Sequence, residues 1–389
     1  MKRSNSRKSV WAIQITLASL MLAACVVGIF VTMPSSEAAT ADSAKSPEPQ
    51  DRNQAVDESI EKGLAYLAQK QDPATGGWLQ DVGFKFAENY EVSAGNKPHV
   101  GVSSLALMSF LAGGHVPGRG KYSHVVERGL NFVLSCVDED TSFISAHETR
   151  MYSHAFATLF LAEIYGMTRR PDLRAKLQTA IDLTVETQNS QGAWRYRPYA
   201  PDSDMSICVC QLMALRAARN IGIHVPRSTI TRAYNYIRKS AHTSGRRRGS
   251  FRYRIDEPGT RISFALASAG IASLMHAGFY DDEMIEPGLN WLKRRISGLP
   301  VRSSENYPSF FYWYGHYYAA QVMFLASDSK KNKGLWDDFY WPRMSNELLR
   351  NQQADGSWRN DPGPGDVYGT AVATIILQIP RRFLPIFQR

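Results

Sequence analysis

The sequence predicts an all-α protein in which six consecutive helix hairpins close into a ring. Three observations predict it. A short small–aromatic–aliphatic motif recurs along the chain. Each recurrence is followed by a second helical stretch that is apolar nearly all round. The chain then ends in the apolar segment Phe383–Phe387, where an open helical array would need a polar capping repeat.

The first element is a leader. Lys2, Arg3, Arg7 and Lys8 precede an apolar run from Val10 to about Met33, and small residues follow at Ala38, Ala39 and Ala41. This is the order of an export signal, and the run is also long enough to serve as a membrane anchor. Residues 1–33 are therefore expected to be a signal peptide or anchor. Its positive flank would stay inside and leave the body outside the cytoplasm, either membrane-anchored or periplasmic/extracellular. Leu22–Cys25 resembles a bacterial lipobox, although apolar residues continue to Phe30. Residues 34–54 are rich in Ser, Ala, Pro and charge and read as a disordered linker. The ring would then occupy residues 55–389.

Inside the ring, the motif stands at Lys62–Leu67, Arg128–Val133, Arg232–Ile237 and Pro287–Leu292, with a weaker copy near Ala180. Each copy lies in an amphipathic helical pattern of about 15 residues. A Gly- and Pro-rich turn follows, then the apolar second helix. Those second helices are predicted at 102–113, 152–165, 205–220, 262–277, 314–325 and 368–378. No strand alternation of any length is evident, and the turns are expected to hold at most short hairpins.

The turns carry a finer signature. Gln71, Gly76 and Trp78 follow the first motif; Gln188, Gly192 and Trp194 repeat the pattern, as do Gln352, Gly356 and Trp358. A Gln at a helix end can satisfy orphan carbonyls, Gly permits the tight turn, and Trp covers the junction with the next unit. This Gln–Gly–Trp pattern resembles the QW motif of the squalene cyclases, and the likeness extends over nearly all of residues 55–380. It implies the (α/α)6 toroid shared by triterpene cyclases, protein prenyltransferase β subunits and complement-like thioester domains. Fold alone does not give function, so each relative's chemistry is tested on the residues.

The resemblance to triterpene cyclases implies an acidic motif at Asp202–Ser206, in which Asp204 would donate a proton to a polyene. Met205 stands where the family has a third acid. Asp204 also suits a helix cap, and the two roles can coexist. An aromatic run that includes Phe311, Tyr314, Tyr317 and Tyr318 fits an isoprenoid cavity, but also plain core packing. The family builds its cavity between two helical domains, and this chain has room for one. The resemblance to prenyltransferases would make His316 a zinc ligand, yet the matching Asp and Cys are missing near Thr260–Ser263, so no metal is expected. The thioester Cys-Gly-Glu-Gln segment is absent.

Position alone nominates a site. In such a ring the N-termini of the second helices open at one mouth, which their dipoles make locally positive. Residues expected to converge there are His99, His147, Arg150, Tyr152 and His154, with Arg261, Tyr314, Tyr317, Asp366 and Tyr368. Asp204, Asp202 and His316 are the candidate catalytic groups. Any one of these is more often structural; recurrence at matching repeat positions points to a pocket.

A net charge of +9 could suit nucleic acid, but no zinc finger, RNP motif or basic helix supports that partner. The Arg246–Arg248 turn reads as a solvated loop, or as a contact for anionic lipid beside an anchored leader. Three functions remain open: a cyclase-like enzyme acting on a lipid or isoprenoid, a non-catalytic ligand-binding or assembly module of the envelope, and a carbohydrate-active ring enzyme needing paired carboxylates. No cofactor is expected.

Overall fold

Pro49–Gln69 forms α1, the outer helix of the first hairpin, and Val100–Ala112 forms α2, its inner partner. The pairing then repeats: α3 Ser123–Ser135 with α4 Met151–Thr168, and α5 Pro171–Glu186 with α6 Met205–Asn220. The second half follows with α7 Arg227–Ser240 and α8 Phe264–His276, α9 Ile285–Gly298 and α10 Tyr312–Ser327, α11 Trp341–Asn351 and α12 Asp366–Gln378. This is a computed structural model that describes residues 49–86, 89–257, 262–298, 311–361 and 363–387. The leader, most of the linker and Arg261 lie outside the described residues. Among the described residues, no helix is long and apolar enough to cross a membrane.

The six inner helices start within two residues of their predicted positions. Each packs on the next inner helix, and α12 returns to α2. The chain is therefore an (α/α)6 toroid. Closure is hydrogen-bonded as well as apolar: Ser109 Oγ donates to the Ala371 carbonyl at 3.0 Å, and Gln378 Nε2 to the Ser109 carbonyl at 3.0 Å. Every residue of α2 is buried, which is why its sequence shows no polar face. The outer helices keep one: in α7 the buried side is Ile230, Ala233, Tyr236 and Ile237, while Arg232 and Lys239 lie outside the core.

The Gln–Gly–Trp turns have one geometry in all three copies. Gln71 Nε2 donates to the Gly76 carbonyl at 2.8 Å and to Val125 of the following outer helix at 2.9 Å. Gln188 does the same to Gly192 and Thr229, and Gln352 to Gly356 and Ser59. The last pair joins repeat six to repeat one. The orphan carbonyl at the outer helix's end goes instead to the indole: Trp78 Nε1 donates to Leu67 at 2.7 Å, Trp194 to Thr184 at 2.7 Å, Trp358 to Leu348 at 2.8 Å. Gln is thus a strap between neighbouring units, and Trp is the helix-end cap. The glycine is obligatory. Gly192 has φ +88°, and a Cβ there would lie 2.5 Å from the Arg232 carbonyl oxygen.

The first turn departs from the expectation of no extended strand. Leu79–Phe86 (β1) and Asn89–Pro98 (β2) form an antiparallel hairpin, paired from Phe86↔Asn89 to Leu79↔Pro98 with two shifts of register. Irregular pairing around Val82 interrupts the alternation. Gly83 breaks it further, since a Cβ there would sit 2.1 Å from the Glu91 carbonyl oxygen.

Candidate functional site

Among the described residues, a cavity of about 360 Å³ opens at the N-terminal ends of the inner helices. Its greasy wall includes Leu105 of α2, Phe156 of α4, Leu266 of α8, and Phe311 and Trp313 at the start of α10. The β1–β2 hairpin adds Val82, Phe84 and Tyr90. The polar wall is His99, Arg150, Tyr152, Ser206, Tyr314 and Tyr368, joined by Tyr196, Tyr253 and Asn360 from the turns. No Asp or Glu lines the cavity among the described residues.

The structure therefore brings Arg150, Tyr152, Tyr314 and Tyr368 together as pocket residues and leaves other candidates elsewhere. His147 is exposed on a turn at φ +51°. Asp366 opens α12, where its carboxylate accepts the Asn360 backbone N–H at 2.9 Å. Tyr317 is buried behind the wall with its ring against Phe156.

His154 is also buried behind the wall, for a reason the repeats supply. Its Nδ1 accepts the Ile144 N–H at 3.1 Å. In repeats one and six the matching N–H groups, of Trp78 and Trp358, go to Ser103 Oγ and Thr370 Oγ1. His154 holds a turn against an inner helix, and burial pushes its pKa down to about 4. His316 is packed among Phe264, Tyr312 and Tyr340, with Nδ1 3.1 Å from the Tyr340 hydroxyl. Burial pushes its pKa down to about 3, so it stays neutral. Among the described residues no cluster could hold a metal ion.

Asp204 and Asp202 do not reach the cavity. Asp204 is the N-cap of α6, accepting the Ile207 N–H at 2.9 Å, just as His99 caps α2 and Ser263 caps α8. Its side chain is 0% exposed, and Arg195 donates to its other oxygen at 2.8 Å. Asp202 lies further out and pairs with Arg195 at 3.2 Å and Arg254 at 3.4 Å. Burial raises the Asp204 pKa, while the Ser206 hydroxyl, the Ile207 N–H and Arg195 hold it back. All three neighbours donate, so the carboxyl is arranged as an acceptor. Ser206, which lines the cavity, stands between it and this acid.

Asp204 is nevertheless connected to the cavity. The Tyr152 hydroxyl donates to Ser206 Oγ at 2.6 Å, and Ser206 donates to Asp204 Oδ1 at 2.5 Å. Tyr253 reaches Asp204 Oδ2 at 3.4 Å and is hydrogen-bonded to the Tyr196 hydroxyl. Burial and then the Asp204 charge push the Tyr152 phenol well above its ordinary pKa.

Tyr196, Tyr253 and Asn360 had no place among the sequence candidates, yet a signal existed. Each lies two residues after the buried anchor of its turn: Trp194, Phe251 and Trp358. A two-residue step along extended chain returns the side chain to the same side.

No family model and no curated protein matches this chain. Solved structures do match its fold. A cellobiose 2-epimerase from Spirochaeta thermophila is 14% identical with a TM-score of 0.63, covering 86% of this chain and 96% of that one. An inactive variant of an α-1,6-mannanase of Salegentibacter, in complex with α-1,6-mannotetrose, is 10% identical with a TM-score of 0.60, covering 83% and 98%. A variant of a type II terpene cyclase from Scytonema, in complex with geranylgeranyl dihydroxybenzoate, is 13% identical with a TM-score of 0.55, covering 85% and 99%. These similarities establish the toroid and divide between two chemistries.

Proposed function

We propose that this protein is an extracytoplasmic toroid that binds an amphiphilic lipid or isoprenoid in its central cavity. The observation that carries the reading is the composition of the wall. Phe84, Leu105, Phe156, Leu266, Phe311 and Trp313 offer an apolar surface, and the polar groups gather beside it. Such a division suits a ligand with a hydrocarbon body and one polar end. The terpene cyclase with a similar fold, whose structure holds a geranylgeranyl compound, supports the same class. The extracytoplasmic location rests on the leader sequence.

The carbohydrate enzymes among the structural neighbours support the fold equally. A glycosidase, however, needs two carboxyl groups flanking the scissile bond, and Asp202, Asp204 and Asp366 all stand outside the cavity wall. Titration of Trp fluorescence with farnesol and, separately, cellobiose tests the choice. Farnesol is expected to bind and cellobiose not; Leu105→Trp, which fills the cavity, is expected to abolish the farnesol response. Binding of cellobiose alone would replace the reading with a carbohydrate one.

A second reading adds catalysis. The Tyr152–Ser206–Asp204 chain gives a cavity-facing phenol a hydrogen-bonded path to a buried carboxylate, the arrangement of a proton-transfer group. Once a turnover assay exists, Tyr152→Phe is expected to lower kcat at least a hundredfold with KM little changed. Unchanged kcat would remove this reading.

A further inference from the structure

We infer that the polar end of the ligand is an anion, a carboxylate or phosphate, docked on Arg150; this rests on the amphiphile reading above. Arg150 lies at the start of α4 with a non-helical backbone and makes no side-chain cap bond. Its guanidinium stacks over the Phe84 ring at 4.6 Å and lies 5.9 Å from the Tyr196 ring. Stacking occupies the faces of the guanidinium and leaves its in-plane N–H groups open. Among the described residues Arg150 has no acid or hydrogen-bond acceptor, whereas Arg195 and Arg254 nearby are both engaged by carboxylates. A partly buried cation without a counter-charge is costly, and a bound anion would remove that cost.

Two further wall residues point the same way, while three of the phenols are already committed to protein acceptors: Tyr152 to Ser206, Tyr314 to the Ser206 carbonyl at 2.9 Å, and Tyr253 to Asp204. Asn360 Nδ2 is buried with no acceptor. His99 accepts the Val102 N–H on Nδ1 at 3.2 Å, which leaves the proton on Nε2 as a donor. Burial holds this ring's pKa down to about 4, so it does not itself carry the charge. Free donors with no lining carboxylate describe a receptor for an acceptor-rich, negatively charged group.

The test is calorimetric titration of the full-length protein with three probes sharing one chain: farnesol, farnesoic acid and farnesyl phosphate. The wild type is expected to bind at least one anion tenfold or more tighter than the alcohol. The anion-to-alcohol affinity ratio should fall to within twofold of unity in Arg150→Gln and be largely retained in Arg150→Lys. Farnesol bound with no preference for either anion would overturn the inference and leave the amphiphile reading standing. So would a preference that survives in Arg150→Gln. If no probe binds the wild type, both readings fall together.

Discussion

Replacing Glu163 with Gln should convert a pH-sensitive ring into one whose stability is much flatter with pH. Glu163 lies on α4, 1% exposed, and accepts the Ile386 N–H at 3.2 Å. That contact ties the apolar C-terminal segment to the ring. Burial pushes the carboxyl up to about 8 from its ordinary value of 4.5. The folded protein therefore keeps the proton below about pH 8, while the unfolded chain releases it above about pH 4.5. Stability from this group is fully present below pH 4.5 and is lost as pH rises toward 8. At about 1.4 kcal/mol per unit, the loss approaches 5 kcal/mol in the limit and is about 3–4 kcal/mol between pH 5 and pH 9. Gln keeps the acceptor for Ile386 and cannot ionise. Urea unfolding of wild type and Glu163→Gln, followed by Trp fluorescence at pH 5, 7 and 9, reads the difference directly. The variant should gain on the wild type by about 3 kcal/mol or more across that range. A constant offset introduced by the amide leaves this slope intact. A difference that does not change with pH would refute the buried neutral carboxyl.

Three further perturbations probe the ring and its cavity. Gly192→Ala places a Cβ 2.5 Å from the Arg232 carbonyl oxygen at φ +88° and should cost about 2–4 kcal/mol by thermal or urea unfolding. His154→Ala orphans the Ile144 N–H and should cost about 2–3 kcal/mol, with partial recovery in His154→Ser, which installs the residue type found at Ser103; no recovery would deny the repeat equivalence. Asp204→Asn keeps an N-cap acceptor but weakens the buried pair with Arg195, which retains Asp202, so its cost should fall near the low end of about 3–5 kcal/mol; an unchanged melting curve would show that the ion pair contributes nothing.

The local grammar of the ring is legible in the chain because each part is decided within a few residues. Gly76, Gly192 and Gly356 are required by turns that only positive φ permits. Trp78, Trp194 and Trp358 are required because a helix end about ten residues upstream leaves a carbonyl to satisfy. The inner helices are legible because burial on every side removes their polar residues. Even the cap role of Asp204 is local, set by the N–H groups of the next turn.

The site was decided by closure. Arg150, Tyr196, Tyr253 and Asn360 are scattered over some 210 residues and share a wall only because α12 returns to α2. His154 and Asp204 look as chemically able as Arg150 in sequence. Asp204 is turned onto the Ile207 N–H and Arg195, and His154 onto the Ile144 N–H, whereas Arg150 lines the cavity; a one-dimensional list of residue types does not contain those partners. The β1–β2 hairpin was hidden for a related reason. Its apolar side chains Val82 and Phe84 find their burial in a cavity supplied by distant helices, so the strand needs no regular alternation of its own. Periodicity records burial within a segment, whereas which polar groups face one another depends on how the segments are brought together in space.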